Sequence, residues 1–167
     1  DGLLDSPRPE THAELPELGS PNMGSRARKT ADFLAVTQPR ADDTVIDLGS
    51  GSGKLAVTVA ASTDARVVGV EYVERYVTAA RASATPLALE NLRFEHADVR
   101  DVDLTHGDIF YLYFPFRGAL AQSVAQRLGT LARAKPLCIY ASGPVGSFGE
   151  YFLREVDDGA LTLAGKR

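Results

Sequence analysis

The chain has 167 residues, enough for one domain with a sizeable core and too few for two full domains. Its composition is ordinary for a globular protein, and its net charge of −4 gives no general attraction for nucleic acid. A single cysteine, Cys138, excludes a disulfide within the chain and a cysteine-based zinc site, and the histidine spacing indicates no metal site. No apolar run reaches the ~20 residues of a membrane span, so we expect a cytoplasmic protein.

The first 24 residues differ in character from the rest. Residues 1–24 contain several prolines among scattered acids, a composition that resists regular structure. We expect an N-terminal arm, either a disordered tail or a segment that folds over a ligand site. The domain itself is expected to span 25–167, and its first helix to run over Ser25–Gln38, where Pro39 ends it.

From Ala41 onward, strand-like and helix-like segments alternate. The expected strands are Thr44–Leu48, Ala65–Glu71, Leu92–Ala97, Asp108–Phe114 and Leu137–Ala141, and the expected helices are Lys54–Ser62, Val73–Thr85 and Gly118–Arg133. Such alternation predicts an α/β fold, a parallel sheet with helices on both faces. At the end, Tyr151–Val156 and Ala160–Gly165 flank an Asp-Gly turn and predict an antiparallel hairpin. The expected sheet is therefore seven-stranded and mostly parallel.

The most informative stretch is Thr44–Leu55, T-V-I-D-L-G-S-G-S-G-K-L. Gly49, Gly51 and Gly53 stand at alternate positions between a buried strand and the start of a helix. A turn without side chains lets a ligand lie directly on the main chain. We expect the amide groups of the turn and the positive end of the helix to face that ligand.

Two ligand classes fit this turn poorly. A phosphate-binding P-loop needs an early glycine and a Ser or Thr after Gly-Lys, and the chain has Leu48 and Leu55 at those positions. A dinucleotide fingerprint needs a third glycine at its sixth position, which is Lys54. Glu71, about 20 residues further on, would suit the ribose of any nucleoside ligand.

The pattern Asp47-x-Gly49-x-Gly51-x-Gly53 resembles motif I of the class I, Rossmann-like S-adenosylmethionine-dependent methyltransferases. The resemblance continues to Arg167: acids follow the second and third strands, an aromatic-proline motif ends the fourth, and the hairpin is similar to the family's last two strands. It implies a Rossmann-like fold, with S-adenosylmethionine as the methyl donor and S-adenosylhomocysteine as the product.

The resemblance also implies which residues hold the cofactor. Asp47 and the glycine turn would surround the methionine end, Glu71 would accept from the ribose hydroxyls, and Asp98 would accept from the adenine amino group. Carboxylates only accept hydrogen bonds, which suits those donors. The residues assigned to the cofactor in this way are Asp47, Gly49, Ser50, Gly51, Gly53, Glu71, Tyr72, Asp98, Val99 and Tyr113.

The end of the fourth strand carries the candidate catalytic residues. Methyl transfer to nitrogen or oxygen is an in-line displacement, so the site must above all align the two reactants. The resemblance puts Tyr113, Phe114, Pro115 and Phe116 beside the methyl group, where an aromatic pocket would disfavour a charged amine by desolvation. Strand alternation offers a plainer explanation for at least one of the aromatics, including Tyr111, as a core residue.

The acceptor is less well determined by the sequence. D-L-G-S-G-S-G-K and the Gly-Val-Glu at 69–71 are similar to the branch that contains the Rossmann-like histone-lysine methyltransferases and related protein-lysine enzymes. The fourth strand departs from that branch's Asn-rich motif. We expect a protein lysine as acceptor rather than a small molecule or nucleic acid. Alternatives are a small-molecule methyltransferase with the arm as a lid and a cofactor-binding module without activity. The sequence carries no signal for oligomeric state.

Overall fold

A computed structural model gives the structure of the protein and describes residues 27–113, 116, 118–142, 155–156 and 160–164. The helices are α1 (Ala27–Thr37), α2 (Lys54–Ser62), α3 (Glu74–Ala84) and α4 (Gly118–Ala134), and a short 3-10 helix, Thr85–Leu87, follows α3. The strands are β1 (Thr44–Leu48), β2 (Arg66–Glu71), β3 (Leu92–His96), β4 (Ile109–Tyr113), β5 (Cys138–Ser142), β6 (Glu155–Val156) and β7 (Ala160–Ala164). The predicted N-terminal arm lies outside the described residues.

The strands of the described ranges form one sheet in the order β3-β2-β1-β4-β5-β7-β6. The five strands β1 to β5 are parallel, whereas β7 pairs antiparallel with both β5 and β6. The predicted Rossmann-like α/β arrangement with a parallel sheet is confirmed. The strand order reverses between β1 and β4, and ligands of open parallel sheets bind at the carboxyl ends of the strands at such a reversal.

Apolar layers cover both faces of the sheet. On one face α4 packs against side chains such as Ile46 and Leu112, and on the other α1, α2 and α3 pack against side chains such as Val45 and Tyr111. Neighbouring residues of β1 thus join opposite layers, as the alternation of a strand requires. Burial on both faces explains why β1 has no exposed residue.

Aromatic contacts anchor α1 to the sheet. Phe33 is fully buried and meets Tyr111 and Tyr140 edge-on, with ring centroids 5.2 and 5.5 Å apart. Tyr111 and Tyr140 are register partners on β4 and β5, and their rings stack at 5.7 Å. Each such pair adds about 0.5–1.5 kcal/mol to the gain from burial. Tyr111 is therefore a core residue, as the plainer explanation of the β4 aromatics predicted.

Asn91, just before β3, donates hydrogen bonds to backbone carbonyls at the carboxyl end of α2. Its Nδ2 lies 3.1, 3.1 and 2.9 Å from the carbonyl oxygens of Ala60, Thr63 and Ala65. These carbonyls belong to the helix end and the following loop, where intrahelical donors run out. We expect Asn91→Leu to lower the free energy of unfolding by about 2 kcal/mol, measured by urea denaturation. The neighbouring exposed Glu90→Leu is the control, and equal effects from both variants would contradict the assigned role.

Candidate functional site

The turn between β1 and α2 has the backbone shape that the glycine spacing predicted. Gly49, Gly51 and Gly53 all have left-handed backbone, with φ of 79°, 54° and 78°. Residues with a Cβ adopt this region at a cost, so three glycines at alternate positions follow from the path of the chain. Gly53 is also the residue from which α2 starts.

Four amides of this turn are bonded within the chain. Gly49 and Ser50 donate to the Val70 carbonyl (2.9 and 3.0 Å), Gly51 donates to Glu71 Oε2 (2.8 Å), and Gly53 donates to the Ser50 carbonyl (2.9 Å). The expectation that the amides of the turn face a ligand is therefore wrong for these four. A turn with four of its donors already occupied is poorly suited to a phosphate and is compatible with a ligand that carries none.

Phe94 of β3 supports the turn from below. Its ring atoms lie 2.5 Å from where a Cβ would stand on Gly53 and on Gly69, its register partner in β2. The ring fills the space that both glycines leave open, and it fixes the turn against the sheet. Sequence reasoning missed Phe94. The signal was Gly69 itself, since a glycine inside a β-branched strand marks a close approach by another group.

Glu71 ends β2 and joins the loops that follow β1 and β2. Its side chain is buried, Oε2 accepts from the Gly51 amide and Oε1 accepts from the Val73 amide, both at 2.8 Å. Burial raises the pKa of Glu71 above its usual value, and the amides of Val73, Gly51 and Tyr72 oppose that rise. A carboxylate has about four acceptor positions, so capacity for a hydroxyl donor remains.

Asp47 lies in the middle of the sheet, beneath the turn. It is 3% exposed and pairs in register with Gly69 and Tyr111 on the neighbouring strands. Burial, reinforced by the charge of Glu71, raises the pKa of Asp47 to about 8. From this position Asp47 would act on the amino-acid end of a cofactor through the backbone of the turn.

The raised pKa of Asp47 predicts a pH-dependent stability. Between about pH 4 and pH 8 the folded chain keeps a proton that the unfolded chain has lost, so the free energy of unfolding falls as pH rises. Asp47→Asn removes this titration. We expect the free energy of unfolding of the variant, relative to that of the wild type, to be on the order of a few kcal/mol higher at pH 8 than at pH 4. Urea denaturation at both pH values measures it, with exposed Asp42→Asn as control. A pH-independent difference between variant and wild type would contradict it.

Asp98 lies beyond the end of β3 and is bound by Arg100. Oδ1 accepts from the Arg100 amide (2.9 Å) and Nε (3.0 Å), and Oδ2 accepts from Nε (3.1 Å) and Nη2 (2.5 Å). These contacts lower the pKa of Asp98. They also fill its acceptor positions, so an adenine amino group would have to displace the Arg100 side chain, which is 57% exposed.

The remaining predicted cofactor residues surround these acids. Tyr72, directly after β2, is 45% exposed, and its carbonyl lies 2.9 Å from His96 Nε2. Val99 is buried in the α4 layer, so only its backbone is available to a ligand. The Ser50 hydroxyl is buried beside Gly69 and makes no hydrogen bond to any residue that the structure describes.

The candidate catalytic residues are described in part. Tyr113 is half-buried at the carboxyl end of β4, and its ring stacks on Tyr111 at 6.5 Å. Phe116 packs against the α4 layer. Phe114 and Pro115 lie outside the described residues. The structure thus places Tyr113 at the same sheet edge as the glycine turn and Glu71.

In the described ranges, no three His, Cys, Asp or Glu side chains are grouped so as to hold a metal ion. None of the described helices has the length and apolar content required to cross a membrane.

Solved structures share this fold. An RNA methyltransferase from Salinibacter ruber in complex with S-adenosyl-L-homocysteine has a TM-score of 0.67 and 23% identity, over 83% of this chain and 90% of that chain. A SAM-dependent methyltransferase from Thiobacillus denitrificans, also in complex with S-adenosyl-L-homocysteine, has a TM-score of 0.56 and 26% identity, over 70% of this chain and 48% of that chain.

Sequence comparison gives the family. The chain is 39% identical over 83 residues to the 23S rRNA (uracil(1939)-C(5))-methyltransferase RlmD of Pseudomonas aeruginosa. That stretch is 50% of this chain and only 18% of the relative. The profile of the Methyltransferase domain family matches residues 39–125, more than half of the chain and the part that contains the glycine turn, Glu71 and Asp98. The chain therefore belongs to the Methyltransferase domain family, with the fold of the class I S-adenosylmethionine-dependent methyltransferases.

Proposed function

We propose that the chain binds S-adenosylmethionine at the carboxyl edge of its sheet and transfers the methyl group to a nitrogen or oxygen atom of RNA. The observation that carries the donor assignment is the glycine turn closed onto Glu71. Four of its amides are bonded within the chain, and buried Glu71 keeps acceptor capacity that suits the hydroxyl groups of a nucleoside. This arrangement suits a cofactor with a ribose and a cationic centre but no phosphate.

Each candidate residue has a task in this proposal. Glu71 accepts from the ribose hydroxyls, exposed Tyr72 covers the adenine, and Asp98 with the Val99 backbone binds the adenine edge after Arg100 moves away. Asp47 acts beneath the turn, through Gly49, Ser50, Gly51 and Gly53, on the methionine end. When bound, the cofactor supplies a methyl group activated by its sulfonium.

The acceptor side is assigned to the end of β4. Tyr113 is half-buried at the carboxyl end of β4. This strand pairs with β1, the strand that leads into the glycine turn, so the two strand ends are neighbours. We assign to Tyr113, together with Phe114, Pro115 and Phe116, the task of holding the nucleophile in line with the methyl–sulfur bond. Aromatic surroundings exclude water and favour an uncharged acceptor.

RNA is the acceptor class that the relatives favour. The Pseudomonas aeruginosa relative is a 23S rRNA methyltransferase, and the Salinibacter ruber structure is an RNA methyltransferase. Methylation of a carbon such as uracil C5 requires a nucleophile that first activates the ring. Cys138, the single cysteine of this chain, starts β5 opposite Ile109, at the amino edge of the sheet and so away from the glycine turn. We therefore propose nitrogen or oxygen as the methylated atom.

A protein lysine is the second candidate acceptor. It is supported by the resemblance of the glycine turn and of Gly-Val-Glu at 69–71 to the protein-lysine branch. The net charge of −4 also suits a cationic side chain better than a polyanion. The remaining alternatives are a small-molecule acceptor and a cofactor-binding module without activity.

One experiment tests donor and acceptor together. The chain is incubated with S-adenosylmethionine labelled on the methyl group and with a cell extract that is then divided into RNA, protein and small-molecule fractions. We expect label in RNA, at a base nitrogen or a ribose oxygen after nuclease digestion. Label in lysine would replace RNA by the second candidate, label in small molecules would replace both, and no label despite cofactor binding would indicate a module without activity. The Glu71→Ala variant is the control for contaminating enzymes.

A further inference from the structure

Arg127, in the middle of α4, holds the turn that follows β3. Its Nη1 donates to the Val99 carbonyl and its Nη2 donates to the Val102 carbonyl at 2.6 Å. These carbonyls are more than 20 residues away in the chain, and the arginine is half-buried. A planar guanidinium can hold two acceptors at a fixed separation, which an ammonium group cannot do in the same way.

The turn held by Arg127 is otherwise closed on itself. The Asp98 carbonyl accepts from the amides of Asp101 (3.0 Å) and Val102 (3.2 Å). Val99 is buried in the layer formed with α4, and Val102 packs against that layer. The turn therefore forms one hydrogen-bonded unit, and the bonds to Arg127 join that unit to α4.

Asp98 begins this turn, and the proposed function gives its carboxylate and the Val99 backbone to the adenine edge. We propose that Arg127 is a positioning residue for adenine recognition: it holds the turn that carries Asp98 and Val99 and does not itself contact the ligand. This inference rests on the proposed function. Loss of Arg127 leaves two carbonyls without their donor and releases Asp98 from its place.

The test compares two ligands that differ at one group. S-adenosylhomocysteine carries the 6-amino group, and S-inosylhomocysteine has an oxygen there. We expect the wild type to prefer the adenine ligand in titration calorimetry. Arg127→Met is expected to weaken binding of S-adenosylhomocysteine about tenfold, which is about 1.4 kcal/mol, and to change binding of the inosine analogue by less than about threefold. Arg133→Met, an exposed arginine of the same helix, is the control and should leave both affinities unchanged.

Each other outcome is decisive. An Arg127→Met variant that keeps the wild-type preference, or that weakens both ligands equally, overturns the inference because a merely structural role would not depend on the amino group. If Arg127→Met does not fold, Arg127→Lys carries the test, since it keeps the charge but not the fork; an undiminished preference in Arg127→Lys overturns the inference. A wild type that binds S-adenosylhomocysteine without preference for the amino group overturns the inference alone. A wild type that binds neither ligand overturns the proposed function.

Discussion

Gly53→Ala is expected to lower the free energy of unfolding by about 3 kcal/mol. Left-handed backbone costs a residue with a Cβ about 1–2 kcal/mol, and Gly53 has a φ of 78°. The new methyl group would also stand 2.5 Å from the Phe94 ring and 3.0 Å from the Ala80 side chain, and overpacking of this kind costs about 1–3 kcal/mol. Urea denaturation followed by circular dichroism measures the loss.

A matched set of variants separates the two causes. Gly69→Ala meets the same Phe94 ring at 2.5 Å and the Ser50 hydroxyl at 2.9 Å, much as Gly53→Ala also meets Ala80 at 3.0 Å, and the backbone of Gly69 is not left-handed. Phe94→Leu reduces the overlap in both backgrounds. We therefore expect Phe94→Leu to recover a larger share of the stability lost in Gly69→Ala than in Gly53→Ala, where the backbone strain stays. Equal recovery in both backgrounds would show that strain at Gly53 contributes nothing measurable.

Glu71→Ala is expected to weaken binding of S-adenosylhomocysteine by about tenfold or more, which corresponds to the loss of about 1.5–3 kcal/mol for a hydrogen bond to a charged group. The same change removes the acceptor of the Gly51 and Val73 amides, so the free energy of unfolding should also fall, by on the order of 2 kcal/mol. Titration calorimetry and urea denaturation measure the two effects. Exposed Glu74→Ala, in the first turn of α3, is the control for loss of a nearby charge.

The two measurements on Glu71 answer different questions. A lower stability with an unchanged affinity would reduce Glu71 to a link between the loops after β1 and β2, and would remove it from the cofactor site. Glu71→Gln should lie between the wild type and Glu71→Ala in both measurements, because it keeps one acceptor oxygen. An affinity of Glu71→Gln below that of Glu71→Ala would contradict this order.

Much of the fold could be predicted from local features of the sequence. Apolar β-branched runs fix strands that are buried on both faces, as in β1 and β2. The ends of two helices were predictable for equally local reasons. Helix α1 ends directly before Pro39, where Gln38 has a φ of 44°. Pro86 lies in the 3-10 helix that follows α3 and begins at Thr85, the last residue of the predicted helix. The glycine turn was predictable because left-handed backbone at three alternate positions favours glycine over residues with a Cβ, so the spacing of the glycines marks the turn.

The partners within the site could not be predicted because they join distant parts of the chain. Nothing in the sequence pairs the Gly51 amide with a carboxylate 20 residues later, places Phe94 under Gly53, or brings Arg127 to the turn after β3. Asp98 and Arg100 are close in sequence, yet their pairing could not be predicted, because the sequence is equally consistent with an Asp98 carboxylate that is left open to a ligand. The methyl acceptor stays a prediction, because net charge is a property of the whole chain and not of one edge of the sheet.

The hydrogen bonds within the glycine turn have a consequence for the thermodynamics of binding. Amides that are bonded to Val70, Glu71 and Ser50 should exchange slowly with solvent deuterium even when no ligand is present. The chain then orders this segment when it folds, so an incoming ligand need not supply the entropy of freezing a mobile loop. The folding free energy, and not the binding free energy, therefore includes the cost of shaping this turn.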